Sequence, residues 1–185
     1  AFAPGPGQLD WANQPDPFRR YEGAELLPLI KIGQTKKPTF SEALKSNKVL
    51  ACPLNLESVS QLFFDCLALS AWKSFQGSKW ALRVNPSSGN LHPTEGYLVC
   101  GPVQGLTDKP TVFHYSPETH GLEIRTHFPM ETWKKMRLSE DTLFVGLSSI
   151  NWREAWKYGQ RAYRYCQHDL GHALAALNIS CAGLG

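Results

Sequence analysis

The sequence predicts an α+β fold, with a central antiparallel or mixed sheet flanked by helices, on the strength of three observations. Segments with apolar residues at three- and four-residue steps, typical of helices, are interspersed with segments that alternate like strands. Residues 111–115 and 122–126 flank a turn-forming stretch and indicate a hairpin, which favours antiparallel pairing. The 185 residues, 42% of them hydrophobic and 19% charged, suffice for one packed domain.

The N-terminal part of the chain differs from the rest because prolines and glycines are concentrated there. Proline fixes φ and removes an amide donor, so residues 1–38 are expected to form an extended arm. Trp11, Phe18 and Tyr21 lie within it and would anchor the arm to other parts of the protein. A flexible tail is the alternative. Residues 39–185 would then form the main domain.

Further elements are expected between the arm and the C-terminal region. Apolar residues at helical spacing predict a helix over 56–73, with Asn55 as its N-cap. Alternation predicts a strand over 95–103. The stretch "METWKKMRL" suits a short amphipathic helix, and Leu143–Ser149 suits a buried strand.

The last predicted element is a long helix over 152–181. One of its sides carries Leu170, Ala173, Leu174, Leu177 and Cys181. Its alanines predict close packing against a neighbouring helix or a flat ligand, since small side chains let surfaces approach. Gly183 is the expected helix stop. Cys66 and Cys181 occupy apolar helical patterns and are expected to be buried structural cysteines.

Composition argues against several classes of function. The net charge is +3, but the basic residues are scattered, so a nucleic-acid surface is not expected. No apolar run reaches the roughly 18 residues that a membrane span requires, and the N-terminal residues lack the pattern of a secretory signal. The five cysteines form no CxxC pair, which indicates reduced thiols and a cytoplasmic protein.

The stretch "HDLGH", residues 168–172, looks like the H-E-x-x-H motif of zinc hydrolases. Two histidines four apart on one helical face can share a metal, and a carboxylate follows the first of them. However, Asp169 is one methylene shorter than the usual glutamate, Gly171 weakens the helix, and no third ligand follows. A pair of histidines that make local hydrogen bonds is the favoured interpretation, and no metal is predicted.

The stretch "RVNPSSGNLHPTEGYLV", residues 83–99, is the strongest candidate for a binding site. Its centre brings the hydroxyls of Ser87 and Ser88, the amide of Asn90 and the unobstructed backbone of Gly89 into one tight loop. Arg83 adds a bidentate donor just upstream. Such a loop suits a polar or phosphorylated ligand. A turn whose Asn and Ser satisfy their own backbone fits these residues equally well.

The same stretch resembles the "PSAG.LHP.E.Y" signature of the nitroreductase superfamily, most closely its azoline-dehydrogenase branch, the SagB-type flavoenzymes. "LSAWKS" before it, "HYSPETHGLE" after it and the C-terminal "WREAWKYGQRAYRYCQHDLGHALAALNISCAGLG" also resemble that branch in order and spacing. The N-terminal "DWANQPDPFRRYEGAELLPL" is similar to its entry segment. The resemblance covers nearly the whole chain, and its motifs are fairly specific.

The resemblance implies an FMN-dependent oxidoreductase that transfers hydride through the flavin N5. The azoline branch oxidises peptide-borne azolines to azoles, and other branches reduce nitro compounds or quinones. The implied cofactor contacts, to which chemistry alone adds Arg83, are Pro86, Ser87, Ser88, Gly89, Asn90, Gly183 and Gly185. Because the family builds its FMN site between two units, the implied partners are a second copy or another nitroreductase-like unit, and a small-molecule or peptide-borne heterocycle as substrate.

Two departures from the family pattern qualify this implication. The chain has no clean copy of the basic motif that holds the FMN phosphate before the first long helix, and Arg19-Arg20 or Lys36-Lys37 are weak substitutes. Family members also continue past the position of Gly185. The nitroreductase-like domain, residues 39–185, is therefore expected to be incomplete at its C-terminus, and the start at Ala1 indicates processing or a fragment.

Two classes of function thus stay open. One is the flavin-dependent oxidoreductase, and the other is a cofactor-free nitroreductase-like module for binding or dimerisation. No catalytic residue is assigned. His92, Tyr97 and Tyr158 are candidates for a general base only through their side-chain chemistry, and each is more often a packing residue.

Overall fold

The computed structural model describes residues 3–33, 38–45, 49–139 and 141–185. In chain order the elements are β1 (Leu26–Pro28), α1 (Phe40–Ala43), α2 (Leu56–Cys66), β2 (Leu69–Phe75), β3 (Ser78–Arg83), β4 (Thr94–Cys100), β5 (Thr111–Ser116), β6 (Gly121–His127), α3 (Met130–Lys135), β7 (Leu143–Ser149), α4 (Asn151–Tyr158) and α5 (Ala162–Leu184).

Five strands form the central sheet in the order β1-β6-β5-β4-β7, and every neighbouring pair is antiparallel. The predicted α+β fold with an antiparallel sheet flanked by helices is therefore confirmed, as is the predicted hairpin, which is β5–β6. The sequence did not indicate β1. Its Pro28 lacks an amide donor and is tolerated because β1 is an edge strand.

One face of the sheet packs against α2 and α5 and forms the apolar core. Phe63 of α2 stacks on Tyr115 of β5 with ring centroids 4.6 Å apart, and Ala173 of α5 is fully buried in the same cluster. A Cβ at Gly96 of β4 would lie 2.5 Å from a methyl group of Leu67, so glycine is needed for this close approach. The C-terminal end of α2 is therefore pressed directly onto the inner strand β4.

Helix α2 is shorter than predicted. Asn55 caps it as expected, and Asn55 and Ser58 form a reciprocal capping box. The helix ends at Cys66, however, and Leu69–Phe75 is a strand that pairs with Ser78–Arg83. The turn between the two strands, Gln76-Gly77, has positive φ at both residues, as tight hairpin turns require. This turn converts the end of the predicted helix into a hairpin.

The predicted C-terminal helix is broken into two. Gly159 has φ +55°, and a 3₁₀ turn, Gly159–Arg161, separates α4 from α5. The positive φ favours glycine here, and a Cβ added at Gly159 would lie 3.3 Å from the backbone nitrogen of Pro6 and 3.5 Å from the carbonyl oxygen of Pro4. The predicted stop at Gly183 is also wrong, because α5 continues to Leu184.

Burial on α5 and β7 differs from the prediction. Ala173 and Ser180 are buried on α5, whereas Leu174 is 46% exposed and Cys181 is also exposed. Strand β7 was expected to be buried, but it alternates between half-buried and exposed residues, because Leu143, Val145 and Leu147 pack against the core and the residues between them face away from it. All five cysteines of the chain are free thiols.

Three aromatic residues of the arm contact the main domain. Trp11 packs edge-on against Trp156, and the indole Nε1 of Trp156 donates to the carbonyl of Asp10. Phe18 contacts Trp72 of β2, and the hydroxyl of Tyr21 lies 2.9 Å from that of Tyr97.

The basic residues considered as phosphate contacts are not equally well described by the structure. Lys36 and Lys37, considered above as phosphate contacts, lie outside the described residues. Arg20 is engaged by Asp16 and Glu118 in an exposed ion-pair cluster. No helix in the described part of the chain is both long enough and apolar enough to cross a lipid bilayer.

Candidate functional site

The loop of residues 86–90 connects β3 to β4 and turns sharply. Ser88–Asn90 forms a 3₁₀ turn, and Gly89 and Asn90 both adopt left-handed backbone conformations with φ near +60°. The Asn90 side-chain amide donates to the carbonyl of Ala81 at 2.9 Å, and the His92 amide donates to the hydroxyl oxygen of Ser87 at 2.8 Å. The loop is therefore tied to β3 and is closed by a hydrogen bond within the connection itself.

The polar groups at the centre of this loop bind Asp169 of α5. The Ser87 hydroxyl donates to the Asp169 carboxylate at 2.7 Å, and the amide and hydroxyl of Ser88 each donate to it at 3.0 Å. Asp169 is buried, with 1% of its surface exposed. The serines predicted to face a ligand are thus turned inward onto a carboxylate.

A second carboxyl group lies next to Asp169. Glu154 of α4 is completely buried, and neither of its carboxyl oxygens has a hydrogen-bond donor among the described residues. Burial, and then the nearby Asp169 carboxylate, raise the pKa of Glu154 to about 8. Glu154 is therefore protonated at neutral pH.

The outer side of the loop faces α4. An added Cβ at Gly89 would lie 2.7 Å from the Tyr158 hydroxyl and 3.1 Å from the Lys157 Nζ. Pro86 and Gly89 are exposed. Lys157 is thus a cation beside the exposed part of the loop, which sequence reasoning missed because the residue lies in a later helix.

Arg83 does not lie on the loop surface. Its guanidinium is buried and donates to the carbonyls of Pro17, in the arm, and Thr94, in β4. Burial lowers its pKa to about 10. Arg83 therefore holds the arm against the sheet, which is a different role from the ligand contact predicted for it.

The predicted C-terminal contacts lie far from the loop. Gly183 and Asp169 are on the same helix, and 14 residues at 1.5 Å each place them about 21 Å apart along its axis. Gly183 lines a cavity of about 420 Å³ between α1, α2 and α5. Gly185 has φ +80° and packs against the backbone of Ala51. The loop and the C-terminal turn therefore do not form one pocket within the described chain.

Known proteins with a similar sequence or structure show which fold this chain has. No protein-family model matches the chain. Over 139 residues, or 72% of its length, the chain is 23% identical to a putative nitroreductase of Methanocaldococcus jannaschii, and it covers 66% of that protein. It is 26% identical to the solved structure of a putative nitroreductase from Anabaena variabilis, with a TM-score of 0.69 over 94% of this chain. The fold is nitroreductase-like.

Two more distant structures share the nitroreductase-like fold. A putative nitroreductase from Ralstonia eutropha is 17% identical, with a TM-score of 0.59, and 86% of this chain covers 72% of it. A chain of the Escherichia coli microcin synthetase McbBCD complex, solved with truncated pro-MccB17 bound, is 17% identical, with a TM-score of 0.55. There 86% of this chain covers 64% of the other.

The relatives support the nitroreductase superfamily, as the sequence predicted. The chain spans about two thirds of the curated relative and 34% of the Anabaena protein. These likenesses therefore bear only on the fold and the superfamily.

The three residues considered as a general base each contact other residues of the fold. His92 is buried beside Arg83 and Arg153, and burial followed by these charges lowers its pKa to about 3, so the ring is neutral. Its Nε2 pairs with Asn90. Burial, and then the hydroxyl of Tyr21, raise the pKa of Tyr97 to about 12. Tyr158 lies over the loop, as described above.

A buried charged network on the sheet was not predicted. His114 of β5 lies between Glu95 of β4 and Glu123 of β6, with nitrogen–oxygen distances of 2.8 and 2.7 Å. Arg153 donates to Glu95 and to the carbonyl of His92. Although burial opposes ionisation, the hydrogen bond from His114 and the two nearby arginines lower the pKa of Glu95.

This network fixes the arm to the second face of the sheet. The Tyr21 amide donates to Glu123 at 3.2 Å, and its ring packs edge-on against His114. Charged residues on adjacent strands were visible in the sequence. Only the register between the strands brings them together, and one sequence does not reveal it.

The stretch "HDLGH", residues 168–172, which resembles a zinc-hydrolase motif, has a structural role in the fold. His168 and His172 are exposed on α5, while Asp169 between them turns inward to the serines of the loop. Among the described residues, no three side chains of the metal-binding types are grouped as a metal site would need. The feature that looked like a metal motif instead contributes the carboxylate that holds the loop.

Proposed function

We propose that this chain is one unit of a flavin-dependent oxidoreductase of the nitroreductase type, with FMN bound between two units. The observation that carries the proposal is the loop of residues 86–90. It occupies the surface of a nitroreductase-like fold, is held by Asp169, and leaves Pro86 and Gly89 exposed beside Lys157. The similarity to two putative nitroreductases, from Methanocaldococcus jannaschii and Anabaena variabilis, also favours an oxidoreductase.

The residues of one chain fit part of an FMN site. The exposed backbone at Gly89 suits the edge of a flat ring, and the Lys157 ammonium suits a phosphate or carbonyl oxygen. Because the Asp169 carboxylate beneath the loop disfavours a phosphate there, a carbonyl oxygen is the better ligand for Lys157. When bound, the flavin would supply hydride transfer, while the chain would supply binding, orientation and exclusion of water.

The remaining contacts would come from a second unit. Because Gly183 lies about 21 Å from Asp169 along α5, one loop and one C-terminal turn could meet a single FMN across an interface. Exposed apolar residues on α5, Leu174 at 46% and Ile179 at 42%, are available for such an interface. The second unit would be another copy of the chain or a related nitroreductase-like unit.

For the substrate, we propose a small-molecule or peptide-borne heterocycle. The resemblance to the azoline-dehydrogenase branch supports azoline-to-azole oxidation. The likeness in fold to a chain of a complex solved with truncated pro-MccB17 bound is compatible with a peptide substrate. Reduction of a nitro compound or quinone is the other reaction that the superfamily suggests.

One observation favours the cofactor-free alternative, a binding or dimerisation module. The loop is already ordered by protein groups, since Ser87 and Ser88 are bound to Asp169. Its shape therefore needs no ligand. A domain that has lost FMN could keep the loop for packing alone.

Titration of the purified chain with FMN distinguishes the two functions. Flavin fluorescence and equilibrium dialysis measure binding, and thermal unfolding measures the stabilisation that binding produces. We expect saturable FMN binding that Lys157→Glu weakens by about tenfold, the effect of roughly 1.4 kcal/mol. Lys73→Glu, a charge reversal on the exposed hairpin strand β2, should leave binding unchanged.

Absence of FMN binding would decide between the two functions in the other direction. If saturating FMN neither binds nor raises the melting temperature of the folded chain at any protein concentration, the flavoenzyme proposal is overturned. The cofactor-free module would then be the function that the fold supports.

A further inference from the structure

Asp169 is the anchor of the loop of residues 86–90. It lies in the second turn of α5, 82 positions after Ser87, and accepts hydrogen bonds from Ser87 and from both the amide and the hydroxyl of Ser88. The carboxylate is buried, so water does not compete for these bonds. The shape of the loop therefore depends on a single side chain from another element.

Glu154 can bond to this anchor only if it carries a proton. Two ionised carboxylates offer only acceptors, so no hydrogen bond can form between them, and their like charges repel each other. Glu154 is completely buried, and no donor of the described residues reaches either of its oxygens. A proton on Glu154 removes this conflict, because the neutral acid can donate to the Asp169 carboxylate.

We propose that Asp169 is a positioning residue that sets the shape of the loop of residues 86–90, and that a proton held by Glu154 is required for it to do so. The relevance of this to FMN rests on the proposed function, but the effect on the loop does not. Loss of the proton would place two negative charges together beneath the loop and favour its opening.

Other charged and titratable groups around Glu154 do not supply this proton. Lys157, on the same helix, opposes the rise in the pKa of Glu154 only weakly compared with burial and Asp169. Tyr158 and Cys166 are neutral near pH 7, because burial, and then negative charge that includes Asp169 and Glu154, raises the pKa of each. The ring of Tyr165 packs against that of Tyr158 with centroids 4.4 Å apart. Arg161 faces Tyr158.

The sign of the pH dependence follows from linkage. In the closed loop Glu154 stays protonated up to about pH 8, whereas in an open, hydrated loop it would ionise near its ordinary value of 4.5. Rising pH therefore favours opening throughout this interval. Above it, both forms are ionised and the dependence levels off.

Hydrogen–deuterium exchange of the loop, measured without FMN across this pH range and corrected for the intrinsic rate, tests the proposal. In the wild type we expect the protection of the loop amides to fall by about tenfold per pH unit toward pH 8. In Glu154→Gln, which keeps a donor but cannot titrate, protection should not vary with pH. In Asp169→Asn it should be low at every pH.

The controls separate this effect from general loss of structure. Glu22→Gln changes an exposed carboxyl group of the arm and should keep the wild-type profile. Amides of β5, in the centre of the sheet, should stay protected in all variants. A wild-type loop whose corrected exchange does not vary with pH would overturn the proposal even if Glu154→Gln fails to fold. Because no FMN is present, failure of the flavoenzyme proposal would leave these results intact.

Discussion

The hydroxyl of Tyr158 lies so close to Gly89 that a Cβ added there would be 2.7 Å away from it. The two residues belong to different elements, the loop before β4 and the helix α4. Gly89 also has φ +62°, a conformation that residues with a side chain seldom adopt. Position 89 therefore requires glycine for two independent reasons.

Gly89→Ala should destabilise the chain through both of these effects. We expect a loss of about 1–3 kcal/mol in the free energy of unfolding, from left-handed backbone strain and the contact with Tyr158. Urea denaturation measures this loss. Gly23→Ala is the matched control, because Gly23 has φ +75° and no neighbouring atom within 4 Å, so only the strain remains.

A double variant separates the two effects. Tyr158→Phe removes the hydroxyl, so Gly89→Ala should cost less in that background than in the wild type. An equal cost in the two backgrounds would show that the close contact contributes nothing and that strain accounts for the whole loss.

The stability of the chain should depend on pH through Glu154. Its pKa is raised from 4.5 to about 8, so its contribution to stability is fully present below pH 4.5 and is lost as the pH rises toward 8. Relative to Glu154→Gln, the wild type should lose about 1.4 kcal/mol per pH unit over this interval. Chemical denaturation at several pH values measures the difference, and parallel curves for the two proteins would contradict it.

The ion pair between Arg153 and Glu95 should be costly to break from one side. Both side chains are almost completely buried, with 4% and 1% exposed. Arg153→Met would leave Glu95 with His114 as its remaining direct partner, and we expect a loss of about 3–5 kcal/mol in stability. Arg164→Met, on the exposed side of α5, should cost less than about 0.5 kcal/mol. Equal melting temperatures for the two variants would refute the prediction.

Local features of this fold were readable in the sequence because their causes are local. Asn55 caps α2 through a residue three positions later, and the β5–β6 hairpin is closed by its own turn. Failures occurred where distant residues decide the structure. Gly159 interrupts the C-terminal helix where Pro4 and Pro6 pack against it, and this contact spans most of the chain.

The sequence marked a candidate loop, but it did not indicate which residues hold that loop in place. Small and polar residues marked the loop of residues 86–90 correctly as a special turn. Nothing near Ser87 indicates that its partner is Asp169, which the sequence presented as part of a metal-like motif. Arg83 shows the same limit, because a buried guanidinium bonded to backbone carbonyls has the same sequence signature as one facing a ligand.

A mixing experiment tests whether FMN lies between two copies of the chain. Lys157→Glu alters the loop side, and Gly183→Glu adds a side chain where no atom lies within 4 Å of the new Cβ, so the second change should not disturb the fold. Each variant alone should bind FMN weakly. If one site combines the loop of one copy with the C-terminal turn of another, a dimer with one copy of each variant has one intact and one doubly altered site.

Such mixed dimers can be isolated with two affinity tags and titrated with FMN. We expect about half of the wild-type binding capacity at wild-type affinity, as two-fold symmetry requires. Gly171→Glu, on the exposed side of the same helix and also free of neighbours within 4 Å, is the control and should bind FMN normally. Absence of any recovery would place both altered positions in the same site of one copy, contrary to the separation of about 21 Å along α5.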